Sequence, residues 1–372
     1  MRLDPRLILA DDADVNCLFN WGELMRVLVL VCMLSVIHPA TTRGEDVVVK
    51  VLVGNRLPEE GGPANPDASP LTNPFGVDFD SSGNLIIVEL EGGRVHRLDT
   101  NGHLTKFAGD GSRTYTGDGG PAANATFNAM HNLAIAKSDD IYIADSWNNC
   151  IRKIDAKTGI ITTFAGTGES GFSGDGGPSD EATFTYVMCI TFSPDERYLD
   201  IADINNHRVR RIDMATNIVT TIAGNGEKGV PTDGAIAMES PLVDPRAVTS
   251  DEEGNVYILE RGGHALRVVS PDGRIRTIAG TGKQGFHDGP AMQAMFGAPK
   301  HLCRGPEGVL FIADDQNQAI RKYDPHSQTV TTILGRGHGD PDIRLKNPHG
   351  VTFANDRLYV VDMGHDRILT VE

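Results

Sequence analysis

Beyond residue 46 the chain alternates short apolar runs with turns rich in Gly, Asn and Asp. The runs hold four to seven residues and favour Val and Ile, and no helical periodicity is sustained over twelve residues, so they read as β-strands. Four phrases recur in fixed order. The first is a strand with a Pro-like start: NPFGVDF (73–79), AMHNLAI (129–135), YVMCITF (186–192), DPRAVTS (244–250), APKHLCR (298–304) and NPHGVTF (347–353). The second ends in an acid, as in IYIAD and LFIAD, and the third follows a short polar turn, as in NNCIRKID (148–155). The fourth, as in ITTFAG and VTTIAG, closes the unit on Gly54, Gly109, Gly166, Gly224, Gly280 or Gly335, at spacings of 55, 57, 58, 56 and 55 residues.

Four consecutive strands make an antiparallel sheet that cannot bury both faces alone. Radial packing of such sheets solves that problem, and the result is a β-propeller. Five units are complete and the sixth (347–372) stops at its third strand. The segment VVVKVLVG (47–54) reads like the missing fourth strand. The spacing therefore predicts an all-β, six-bladed β-propeller of four-stranded antiparallel blades, the last blade closed by the N-terminal strand, over residues 46–372. Pairing the terminal strands removes an exposed edge and locks the ring.

Residues 1–44 do not share the repeat. An apolar run of 11 at 27–37 follows Met25-Arg26 and precedes Pro39-Ala40, the pattern of a secretory signal peptide with Met25 as a translation start. It is too short to span a bilayer, so the expected location is secreted, periplasmic or cell-surface, with no stable membrane span. The formal charge of −16 opposes binding to nucleic acid. Cys150, Cys189 and Cys303 lie in separate repeats without metal-ligand spacing and read as small buried residues.

The regular positions read as architecture. Glu89, Asp145, Asp203, Glu260, Asp314 and Asp362 end the second strand of each unit and form a structural acidic ring whose members are expected to accept backbone N–H groups of the following turn. The Gly-Asp-Gly linkers lack the alternating acids of a calcium loop. One column is irregular. On the first strand, nearest the ring axis, Phe75, His131, Met188, Arg246, Lys300 and His349 occupy one position, while Val77, Leu133, Ile190, Val248, Leu302 and Val351 keep an apolar register. His131, Arg246, Lys300 and His349 thus form a cationic channel mouth suited to an anionic small molecule or glycan, with Arg261 and Trp147 extending it.

The phrases IYIADSWNNCIRKID and LFIADDQNQAIRKYD, with the linker SGDGGPSDEATF, resemble the NHL repeat, particularly the bacterial exported form, over residues 46–372. The resemblance implies a monomeric recognition scaffold for a protein, ligand or surface, with no cofactor and no catalytic residue. A metal-dependent lyase or lactone hydrolase at the channel mouth is the alternative. The peptidyl-hydroxyglycine amidating lyases, similar in build, hold zinc through three His on alternate blades. The matching positions here are His131, Arg246 and His349, so a zinc or calcium site would rest on His131 and His349, because Arg has no lone pair to offer. That group's Tyr is replaced by Ile204-Asn205, while Arg261 matches one of its arginines.

Overall fold

The computed structural model describes residues 47–54 and 71–372; the leader region falls outside them. Six antiparallel sheets run in sequence order. Their innermost strands are Pro74–Phe79, Met130–Ile135, Val187–Phe192, Pro245–Ser250, His301–Arg304 and Pro348–Ala354, and each is followed outward by its second, third and fourth strands. We number these sheets blades 1 to 6. In blade 6 the outermost strand is Val49–Gly54, which pairs with Arg367–Val371 from the chain's other end. Blade 5 gains a short fifth strand, Gly289–Pro290, from the linker that precedes it.

The apolar faces pack blade against blade, as with Val88, Val95 and Ile143, all fully buried between blades 1 and 2. Three of the largest fully buried side chains are nevertheless arginines: Arg152, Arg210 and Arg321. Among the described residues no helix is long and apolar enough to cross a membrane.

Two backbone devices shape the inner wall. The residue before the innermost strand in blades 1, 2, 3, 4 and 6 (Asn73, Ala129, Tyr186, Asp244, Asn347), and Ala298 three residues before that of blade 5, are left-handed, with φ between 48° and 59°. Ala and Tyr adopt that region reluctantly, so Ala129, Tyr186 and Ala298 are held there by their surroundings. In blades 1, 2, 3, 4 and 6 the first two strands then slip register across Phe75, His131, Met188, Arg246 and His349. A bulged residue is released from the ladder and its side chain is re-aimed. In five of the six blades the irregular column of the sequence is thus a bulge, turned toward the axis.

Candidate functional site

The bulges bring the irregular column together at one end of the channel. Phe75 lies among the others, its ring centroid 4.7 Å from that of His131 and 3.9 Å from that of His349. The Arg246 guanidinium carbon sits 5.8 Å from the same ring. Arg246 is only 4% exposed, yet its one side-chain hydrogen bond runs to the Met188 carbonyl at 3.3 Å, and no carboxylate among the described residues lies within 4.0 Å. Burial lowers its pKa to about 10, and the charge of Arg261 adds to the effect. Lys300 is partnered: its Nζ lies 3.5 Å from Asp315 Oδ2, and Asn347 donates to the same carboxylate at 3.1 Å. Burial and Arg246 hold the Lys300 amine down at about 8. Arg261 is exposed at the rim. Trp147 is half-exposed on the turn after Asp145 and carries Arg113 over its ring at 5.2 Å, so its contact is with the linker.

Both mouth histidines turn Nδ1 to a backbone carbonyl two residues back, His131 to Ala129 at 2.8 Å and His349 to Asn347 at 3.4 Å. Their Nε2 atoms are left toward the channel. Burial first, and the cationic neighbours Arg246 and Lys300 after it, depress both pKa values, so the rings are neutral. Two imidazoles beside two cations do not make a catalytic zinc centre, which takes three protein ligands. No group of three His, Cys, Asp or Glu side chains that could hold a metal ion occurs among the described residues.

The acidic ring is fully buried, and each member accepts a backbone amide from the segment just ahead of its own blade's innermost strand rather than from the turn that follows the acid, as from Asn128 to Asp145 at 2.7 Å and from Gly297 to Asp314 at 2.6 Å. Each also faces a basic side chain that the sequence reading missed: Arg152, Arg210, Arg267, Arg321, Arg367 and, in blade 1, His96 at 3.0 Å from Glu89. Except in blade 6 the partner stands seven residues after the acid, a spacing visible in the repeat itself. Burial raises the Asp145 and Asp203 carboxyls to about 6 despite these partners. The linker acids join the same clamp. Asp118, Asp175 and Asp288 bind Arg152, Arg210 and Arg321, and each also binds a Thr of the outer strand: Thr163, Thr221 or Thr332.

A second inner column was also missed. One residue beyond the bulge stand Gly76, Asn132, Cys189, Ala247, His301 and Gly350. His301 reaches across the channel from blade 5, its Nε2 3.1 Å from Asn132 Nδ2 and 3.8 Å from Cys189 Sγ, its Nδ1 3.4 Å from the Val351 amide. Ile190 donates to Asn132 Oδ1 at 2.9 Å, which fixes the Asn132 amide nitrogen toward His301. Both ring nitrogens therefore face N–H donors, and burial with nearby Arg246 lowers the pKa to about 4. Burial raises the Cys189 thiol to about 11, so the pair is a neutral thiol beside a neutral imidazole, the opposite of an activated nucleophile. The ring forms a floor beneath the mouth.

No protein-family model matches the chain. NHL repeat-containing protein 2 of Gallus gallus is 25% identical over 82% of this chain and 47% of its own length. The bovine and human proteins of that name also match. The chain is a six-bladed β-propeller similar in sequence to the NHL repeat-containing proteins. It spans under half the length of the curated relatives it matches. Among solved structures, an auxiliary nutrient binding protein from Bacteroides thetaiotaomicron superposes with a TM-score of 0.65 at 15% identity, covering 88% of this chain and 77% of its own. Virginiamycin B lyase from Staphylococcus aureus does so with a TM-score of 0.52 at 15% identity, over 87% and 98%. At such identities the likeness is one of fold.

Proposed function

We propose that this propeller is a non-enzymatic recognition module, exported and monomeric, whose channel mouth takes a small anion such as the carboxylate or sulfate of a glycan. The observation that carries the reading is Arg246: a buried guanidinium with one hydrogen bond and no carboxylate partner within 4.0 Å among the described residues. A buried charge without a partner is costly, and an anion accepting from its remaining N–H groups would relieve that cost. Lys300 and Arg261 at the rim would add charge, and the neutral histidines would offer ring faces and Nε2 atoms. The export half of the reading rests on the leader pattern at 25–44. A structural neighbour described as a nutrient binding protein is consistent with a binding role for this build.

Binding of the wild type and of Arg246→Ala with Lys300→Ala to an array of carboxylated and sulfated glycans tests the reading. Retention of a specific glycan by the wild type, lost in the double variant, is expected; equal affinity removes it. The lyase alternative has one observation in its favour, the two carbonyl-anchored histidines. Metal content of the purified protein decides that point, since stoichiometric zinc or calcium lost on replacing His131 and His349 would favour the enzyme.

A further inference from the structure

The channel continues beyond His301 into a second chamber of about 270 Å³, open toward the loops that join first to second strands. Its chemistry is opposite to that of the mouth. Three residues past the bulge, the innermost strands carry Asp78, Ala134, Thr191, Thr249, Cys303 and Thr352 at one height. Asp78 accepts the Phe79 amide at 2.8 Å and the Ile135 amide at 3.0 Å. No Lys, Arg or His nitrogen among the described residues lies within 4.0 Å of it. Arg304, the cation on the chamber wall, is committed elsewhere, to Glu252 and to the Ser250 carbonyl.

Two hydroxyls on the facing wall of the chamber, from blades 3 and 4, are also available. Thr352 donates to the Val77 carbonyl at 2.9 Å, but Thr191 and Thr249 make no side-chain hydrogen bond among the described residues, although Thr249 is only 8% exposed. A half-buried carboxylate without a cation partner shares the chamber with two unengaged hydroxyls, each able to accept as well as donate, and the rest of the wall includes Phe192, Leu302 and Phe353. A divalent ion does not fit this set. Calcium takes about six to eight oxygen ligands, and here Asp78 is the one carboxylate on the wall. A single positive charge carried on a short hydrocarbon matches both features.

We infer that the lower chamber is a binding site for a small primary alkylammonium ion, held by Asp78, with Thr191 and Thr249 lining the facing wall, and separated from the anion-binding mouth by His301. The site is independent of Arg246, so the two readings stand or fall separately. Burial raises the Asp78 carboxyl to about 6. Its charge, and with it the affinity for an ammonium ion, is present above that pH and declines below it.

The experiment is a titration of the full chain with n-propylammonium chloride, followed by calorimetry or by shifts of backbone amides around the chamber. Saturable binding is expected at neutral pH, weakening by about tenfold or more in Asp78→Asn. A several-fold loss is expected in Thr249→Val, and none in Arg246→Ala. The wild type alone supplies a test that needs no variant: affinity should fall about tenfold from pH 7 to pH 5 as Asp78 takes up a proton. Propionate should not bind the chamber. Equal binding by Asp78→Asn, an affinity flat across that pH range, competition by sodium at similar concentration, or no saturable binding by the wild type would each overturn the inference.

Discussion

Replacing Arg321 by Met removes a buried guanidinium while keeping much of its volume. In the structure Arg321 is fully buried and bonds Asp314 Oδ2 at 2.7 Å, Asp288 Oδ1 at 2.6 Å, the Met295 carbonyl at 2.9 Å and the His287 carbonyl at 2.8 Å. The groups left behind fare unequally. Asp288 is partly exposed and recovers solvent, whereas Asp314 is fully buried and keeps only its bonds from Gly297 and Asn317. Breaking a buried pair from one side costs about 3–5 kcal/mol, because it leaves a charge without compensation. Two stranded carbonyls place Arg321→Met toward the upper end of that range.

Equilibrium unfolding in urea, with the variants Arg321→Met, Asp314→Asn and the pair, reads the cost and the coupling. The double variant should be less destabilised than the sum of the singles by at least about 1 kcal/mol. Acidification should also shrink the deficit of Arg321→Met, since a neutral Asp314 needs no cation; burial already raises that carboxyl. A loss under about 1 kcal/mol, or strict additivity, would refute the view that the acid–arginine clamps hold the blades together.

Two further outcomes follow from the channel. His301 has a folded pKa of about 4, below the ordinary 6.5, so between these values the unfolded chain binds a proton that the native state refuses. Its contribution to stability is therefore lost as pH falls from 6.5 toward 4, by up to about 3 kcal/mol, and His301→Gln should flatten that part of the pH–stability curve; parallel curves would count against the floor. Lys300, with its amine at about 8, should lose charge as pH rises through that value, so affinity at the mouth should drop between pH 7 and pH 9 in the wild type but not in Lys300→Met, as measured by calorimetry. A pH-independent affinity would remove Lys300 from the site.

The architecture was legible because repetition displays it: the phrase order and the strand-like 47–54 predict six blades and a terminal latch, and Val49–Gly54 does pair with Arg367–Val371. The position of Phe75, His131, Met188, Arg246, Lys300 and His349 as an irregular column was also readable. What makes that column converge was not, since a bulge is a register slip between strands and a left-handed Ala129 or Ala298 carries no residue signature. The partners of the acids were overlooked for a different reason. Arg152, Arg210, Arg267 and Arg321 recur seven residues after an acid, but charged residues on strands read as solvent-facing until the closed ring buries them. His301 was hidden by standing one place beyond the column under scrutiny. Alternation places neighbours on opposite faces of a strand, so a residue next to that column reads as facing away from the axis.

The central claim, that the buried guanidinium of Arg246 is an anion site, is tested most directly by calorimetric titration of a sulfated disaccharide into the wild type and Arg246→Met at one ionic strength. The account predicts saturable binding by the wild type, competed by inorganic sulfate, and a loss of about tenfold to a hundredfold in the variant with folding retained. Equal affinity of the two proteins for the disaccharide would contradict it.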